Sequence, residues 1–247
     1  MVTFKNFGRM GNYLFQVAAT IGYSLRYHIP FTVPSRTEDT KNNPIYLQHL
    51  VNPAWDPKLP EVRIEEHGHA YQNLQFKEEW RLTHNIVLDG YWQSEKYFVE
   101  HRVKVLELFS YPWMLQPGLV SVHVRRGDYL QLAHKHPFIS KLWYYECMER
   151  FPGFAFKFFS DDIAWCRQEF GHIGGCLFSS NITEVDDLIE ISTCEHHISS
   201  ASTFSWWGAW LNRNPKKRVV IPQLWFTPRE MVKLDTRDIV PSSWEKV

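Results

Sequence analysis

Apolar residues along this chain come in short runs and in helical stripes, and the two alternate from one end to the other. Residues 2–7 read as a first strand, followed by the glycine loop Gly8-Arg9-Met10-Gly11-Asn12. Residues 13–27 then carry apolar side chains at Leu14, Val17, Ala18, Ile21 and Leu25, a helical spacing. Strand, glycine loop and helix together open a Rossmann-like unit, although the loop lacks the GxGxxG spacing of a dinucleotide site. Residues 29–33 predict a second strand, 34–60 irregular structure, 62–69 and 85–88 further strands. The last of these runs into Asp89-Gly90-Tyr91-Trp92-Gln93-Ser94, and residues 95–109 predict one amphipathic helix.

Pro112, Pro117 and Gly118 mark residues 110–118 as a linker. The expected domains are therefore 1–112 and 118–247. The strand after the linker, LVSVHV, puts Val120, Val122 and Val124 on one face and Ser121, His123 and Arg125 on the other. Strand–helix alternation continues: helix 141–151, strand 154–159, helix 163–170, strand 176–178, helix 184–194, strand 195–198, helix 204–211 and strand 218–222. The tail 223–247 has no readable pattern. The fold class is α/β.

Three strands of the second half end in polar clusters: Arg125-Arg126-Gly127-Asp128, Ser160-Asp161-Asp162 and Ser199-Ser200-Ala201-Ser202-Thr203. Parallel strands align their carboxyl ends, so the three clusters are expected to converge on one crevice. Guanidinium forks match phosphate oxygens, and hydroxyls with backbone N–H groups at a helix start hold the same charge from another side. A carboxylate can accept from the donor edge of a guanine ring. This set suits a sugar nucleotide. Each cluster also has a plainer reading, as surface charge for the arginines and as helix N-caps for SDD and SSAST. In the first half, Asn12 and Gln16 at a helix start, and Tyr91 and Trp92 beyond a strand, are the residues expected to face a cleft and an acceptor.

Composition narrows the partners. Lys+Arg and Asp+Glu both number 27, so no basic excess points to nucleic acid, and an anion site has to be local. Cys147, Cys166, Cys176 and Cys194 form no CxxC pair and are expected to be reduced. His67, His69 and His84 have no carboxylate-rich partner set, so no metal is expected. With no leader and no long apolar run, the expectation is a soluble, cytoplasmic protein with no transmembrane segment, peripheral membrane contact remaining open.

HVRRGDY (123–129), FFSDD (158–162) and SSASTFSWWGAWLN (199–212) resemble three signature blocks of the α-1,2-fucosyltransferases, glycosyltransferase family 11. GRMGNYLFQ (8–16) and DGYWQSEKYF (89–98) resemble two further segments of that family, in the same order. The resemblance implies a GT-B fold, two Rossmann-like domains facing a central cleft. It implies an inverting, metal-independent enzyme with GDP-β-L-fucose as donor, a glycan as acceptor and no further cofactor. Carried over residue by residue, Arg125 contacts the β-phosphate with His123 and Arg126 in support. Asp161 or Asp162 reads guanine, and Ser202, Thr203, Phe204 and Ser205 line the diphosphate. Asp128 is the candidate proton acceptor, against a structural role beside an arginine. The short first half leaves the acceptor undefined. A protein O-fucosyltransferase or another GDP-sugar transferase, and a non-catalytic glycan-binding module, are the alternatives.

Overall fold

The computed structural model describes residues 1–34, 56–109 and 111–247. Most of the stretch expected to be irregular, and Ser110 of the expected linker, lie outside the described residues. The chain divides into two compact units, one of Met1–Tyr111 with Leu234–Pro241, the other of Pro112–Lys233 with Ser242–Val247.

The first unit contains β1 (Val2–Phe4), α1 (Met10–Tyr27), β2 (Glu61–Glu65), α2 (Trp80–Thr83), β3 (Asn85–Asp89) and α3 (Arg102–Leu108). Its strands pair in parallel in the order β1-β3-β2. β1 and β3 are short runs of apolar residues covered on both sides, as a parallel sheet requires. Helix α1 is buried almost all round, and its apolar positions Leu14, Val17, Ala18 and Ile21 are fully enclosed. Two expectations are corrected here. Residues 29–33 make a single bridge, Val2 with Phe31, held by Val2 N to Pro30 O and Thr32 N to Val2 O. Residues 95–109 are not one helix: Ser94 caps a 3-10 turn through Lys96 N, a second such turn follows, and α-helical geometry starts at Arg102. The segment 234–241 returns to this unit, where Asp238 accepts from the backbone N–H of Tyr71 and from Lys96.

The second unit runs β4 (Gln116–Val124), α4 (Gly127–Gln131), α5 (Lys141–Met148), β5 (Ala155–Ser160), α6 (Ile163–Phe170), β6 (Cys176–Phe178), α7 (Glu184–Thr193), β7 (Cys194–Ile198), α8 (Thr203–Leu211), β8 (Val219–Ile221), α9 (Pro228–Met231) and β9 (Glu245–Lys246). β4 begins inside the expected linker. The six strands are all parallel, ordered β6-β5-β4-β7-β8-β9. Counted from β4, that is the doubly wound order 3-2-1-4-5-6, which reverses between β4 and β7.

Val120, Val122 and Val124 enter a core with Phe158, Tyr144 and Phe170, on the side of α5 and α6. The opposite face of β4 is covered as well, which is why its polar residues had to find partners. Ser121 Oγ lies 2.8 Å from His197 Nδ1, and Asn212 Nδ2 lies 2.8 Å from His197 Nε2. With the Asn212 amide donating, the imidazole accepts at Nε2 and donates from Nδ1. Burial keeps this histidine neutral, its pKa pushed well down. Helix α8 packs closely on α7: a Cβ at Gly208 would stand 2.3 Å from Ile191 Cγ2. Trp206, Trp207 and Trp210 on α8 are almost entirely enclosed.

Candidate active site

The register Val124 with Ser160 and Val122 with Ile198 brings the ends of β5, β4 and β7 side by side at the switch point. The three polar clusters expected to converge do so. Five polar residues at the ends of β4 and β5 form ion pairs in two sets, Arg125 with Asp128 and Asp161, and Arg126 with Asp162. Arg125 holds Asp128 Oδ1 at 2.7 Å and Asp161 Oδ2 at 3.0 Å. Asp161 Oδ1 accepts the backbone N–H of Arg126 at 3.0 Å. Arg126 Nε reaches Asp162 Oδ2 at 3.2 Å. Asp162 is also the N-cap of α6, its Oδ1 accepting from Trp165 N.

Aromatic faces fix both guanidinium planes. Arg125 lies 5.5 Å from the Tyr129 ring centroid and Arg126 3.9 Å from that of Trp165. Tyr129 is itself tied by its hydroxyl to Ala201 O at 3.1 Å and stacked on His136. The arginine side chains are only 17% and 19% exposed, so neither reaches into bulk solvent. Gly127 is required between them and the aspartates: an added Cβ would come 2.5 Å from Asp161 Oδ2.

His123 is buried on the β7 side of β4, with Nδ1 2.7 Å from Ser200 Oγ and its ring against Phe204. Burial first, and the neighbouring Arg125 charge second, push its pKa down to about 3. It is a neutral hydrogen-bonding group and adds no cation. Ser202 caps α8 through Phe204 N. Thr203 and Phe204 are half-buried in the first turn of that helix, whose positive dipole end favours an anion. Ser205 is a correction. It is fully buried, and its hydroxyl donates to the carbonyls of Ser200 and Ser202, so it holds the loop rather than lining a site.

In the first unit, Asn12 is half-buried and its Oδ1 accepts from Gln93 Nε2 at 2.9 Å. Tyr91 is half-buried beside Phe7 and His69. Gln16 and Trp92 do not face a cleft. Gln16 is fully buried and spends both ends of its amide on the Phe7 backbone. Trp92 is fully buried against Tyr97, on a left-handed backbone with φ of 56°. Glu66, which no motif singles out, holds that turn by accepting from Tyr91 N and Trp92 N. Among the described residues, no group of three or more His, Cys, Asp or Glu is placed to hold a metal ion. No described helix is long and apolar enough to cross a membrane.

The second unit is a doubly wound sheet whose polar strand ends, two arginines and three aspartates among them, meet at its switch point, the place where open α/β sheets bind ligands. The chain belongs to glycosyltransferase family 11, whose model, Glycosyl transferase family 11, matches residues 53–245 and so takes in all three clusters. It is a glycosyltransferase acting on glycans. It is 32% identical over 213 residues to an alpha-1,2-colitosyltransferase of Escherichia coli, covering 77% of this chain and 72% of that protein. It is 34% identical over 181 residues to the O-antigen biosynthesis glycosyltransferase WbnK of Escherichia coli, covering 62% and 60%. With galactoside alpha-(1,2)-fucosyltransferase 2 of Hylobates lar it shares 25% identity over 245 residues, 85% and 69% of the two chains.

Proposed function

We propose that this chain transfers L-fucose from GDP-β-L-fucose to O-2 of a β-galactoside, with inversion, on the GT-B plan. The second unit would serve the donor and the first the acceptor. The observation that carries this reading is the paired guanidinium clamp at the β4/β7 switch point.

In the transfer, an acceptor oxygen bonds to the anomeric carbon as the bond from that carbon to the β-phosphate oxygen breaks. The electron pair leaves with GDP, and the acceptor proton passes to a base or to solvent. Negative charge grows on the departing phosphate. Arg125, placed between Asp128 and Asp161, would offset it without a metal ion. Arg126 and the first turn of α8, at Ser202, Thr203 and Phe204, hold the remaining diphosphate charge. His123 donates or accepts as a neutral imidazole behind them. Asp161 and Asp162 are the carboxylates assigned to the guanine edge. Both are engaged with arginines, so reading guanine would exchange one partner for another.

The bond from Arg125 to Asp128 at 2.7 Å favours a positioning role for Asp128 over proton acceptance. Asp128→Asn separates the two: a positioning carboxylate shifts the donor KM, and a base lowers kcat with a changed pH profile. On the acceptor side, Asn12 and Tyr91 are the candidates that stay half-exposed.

The colitosyltransferase likeness favours a second donor, one carrying colitose. Incubation with GDP-fucose and with a colitosyl donor, over a panel of β-galactosides and peptides, followed by linkage analysis of the products, tests both readings. α-1,2-Fucosylated galactoside is the expected product. Exclusive colitosyl transfer, or a peptide product, would displace it.

A further inference from the structure

We propose that the cavity between α4 and α5 receives the sugar of the donor, and that Leu130 and Phe138 form an apolar wall for the methyl group of a 6-deoxyhexose. This inference rests on the donor reading above and adds to it the residues that select the sugar.

The cavity has a volume of about 270 Å³. That is the share of about nine liquid waters, enough for one pyranose ring. Arg125 and Arg126 are the charged groups in its lining. Whatever fills it must therefore sit next to the clamped phosphates, which leaves the two groups attached to the diphosphate: the sugar and the nucleoside.

The rest of the lining decides between them. It is apolar and aromatic, including Leu130, Ala133, Pro137, Phe138 and Ile139, and it contains no carboxylate. Asp161 and Asp162, the carboxylates assigned to the guanine edge, are not part of this lining. A 6-deoxyhexose presents a methyl group and an apolar ring face. His136, a further lining residue, is pushed down to about 4 mainly by burial and so adds no charge.

Leu130 and Phe138 are 51% and 70% exposed. They contribute little to the folded core, and a bound sugar would cover part of what they leave open. Truncating them therefore tests the pocket without threatening the fold.

The experiment compares GDP-L-fucose with GDP-L-galactose, the same sugar bearing a hydroxyl on C6, in the wild type and in Leu130→Asn and Phe138→Ser. Binding of GDP alone is measured in each by calorimetry. An apolar pocket separates ligands that differ at one such position by about 10- to 100-fold. The wild type is expected to show that preference for fucose, and each variant to lose about tenfold of it. The Kd for GDP should stay within about twofold. A preference that does not change would overturn the pocket alone. A Kd for GDP that rises as the donor preference falls would place the nucleoside in the cavity instead. A wild type that transfers no fucose would overturn the donor reading itself, and this assignment with it.

Discussion

Asp161 and Arg125 meet at 3.0 Å across the ends of two neighbouring strands. The same carboxylate takes the backbone N–H of Arg126, so one side chain fixes both halves of the clamp. A carboxylate placed in this way sets where the Arg125 charge stands.

Gly127→Ala tests that fixing. The new Cβ would stand 2.5 Å from Asp161 Oδ2 and force the carboxylate aside. Misplacing a charge by an ångström can cost about a hundredfold in rate. We expect kcat/KM to fall about tenfold or more, with the melting temperature within a few degrees of wild type. Unchanged kinetics would show that Asp161 does not set the arginine.

Removal of the Asn212 amide should act on stability and leave the site alone. Asn212→Ala deprives His197 of its donor and the Cys194 carbonyl of its partner, both in buried surroundings. Each orphaned group costs about 1–3 kcal/mol. Thermal unfolding should register a loss on that scale, with an unchanged donor KM in the folded fraction. A variant as stable as wild type would contradict it.

Glu66 gives the first unit a pH signature. Burial pushes its carboxyl up to about 7, against the two N–H bonds from Tyr91 and Trp92 that oppose the shift. Between its ordinary value of about 4.3 and 7, the folded chain keeps a proton that the unfolded chain has released. Stability contributed by this group is therefore present below that window and lost as pH rises through it. Glu66→Gln cannot titrate. Its deficit in melting temperature against wild type should be largest near pH 4.5 and narrow towards pH 7.5. A deficit that widens over that range would show that the N–H bonds outweigh burial.

How far the sequence reveals this arrangement can be traced residue by residue. Runs of apolar residues before Arg125 and Asp161 made two of the strands legible, the strand before Ser199 is the mixed run Cys194-Glu195-His196-His197-Ile198, and parallel strands place their ends together. What the clusters do to one another was not legible. Nothing in the order RRGD and SDD says that Asp161 bridges both arginines, because that depends on the β4–β5 register. Gln16 and Trp92 misled because polar and aromatic residues near a loop read as exposed. One is drawn in by the Phe7 backbone and the other by a left-handed turn held from Glu66. The return of 234–241 to the first unit rests on partners far away in sequence, such as Asp238 with Tyr71, and leaves no local trace.

The proposed stabilisation of the departing phosphate by Arg125 is read out by single-turnover transfer with Arg125→Ala. The variant should remain folded by circular dichroism and transfer fucose about a hundredfold or more slowly than wild type, even with saturating donor. A folded Arg125→Ala protein that turns over at close to the wild-type rate would contradict the account.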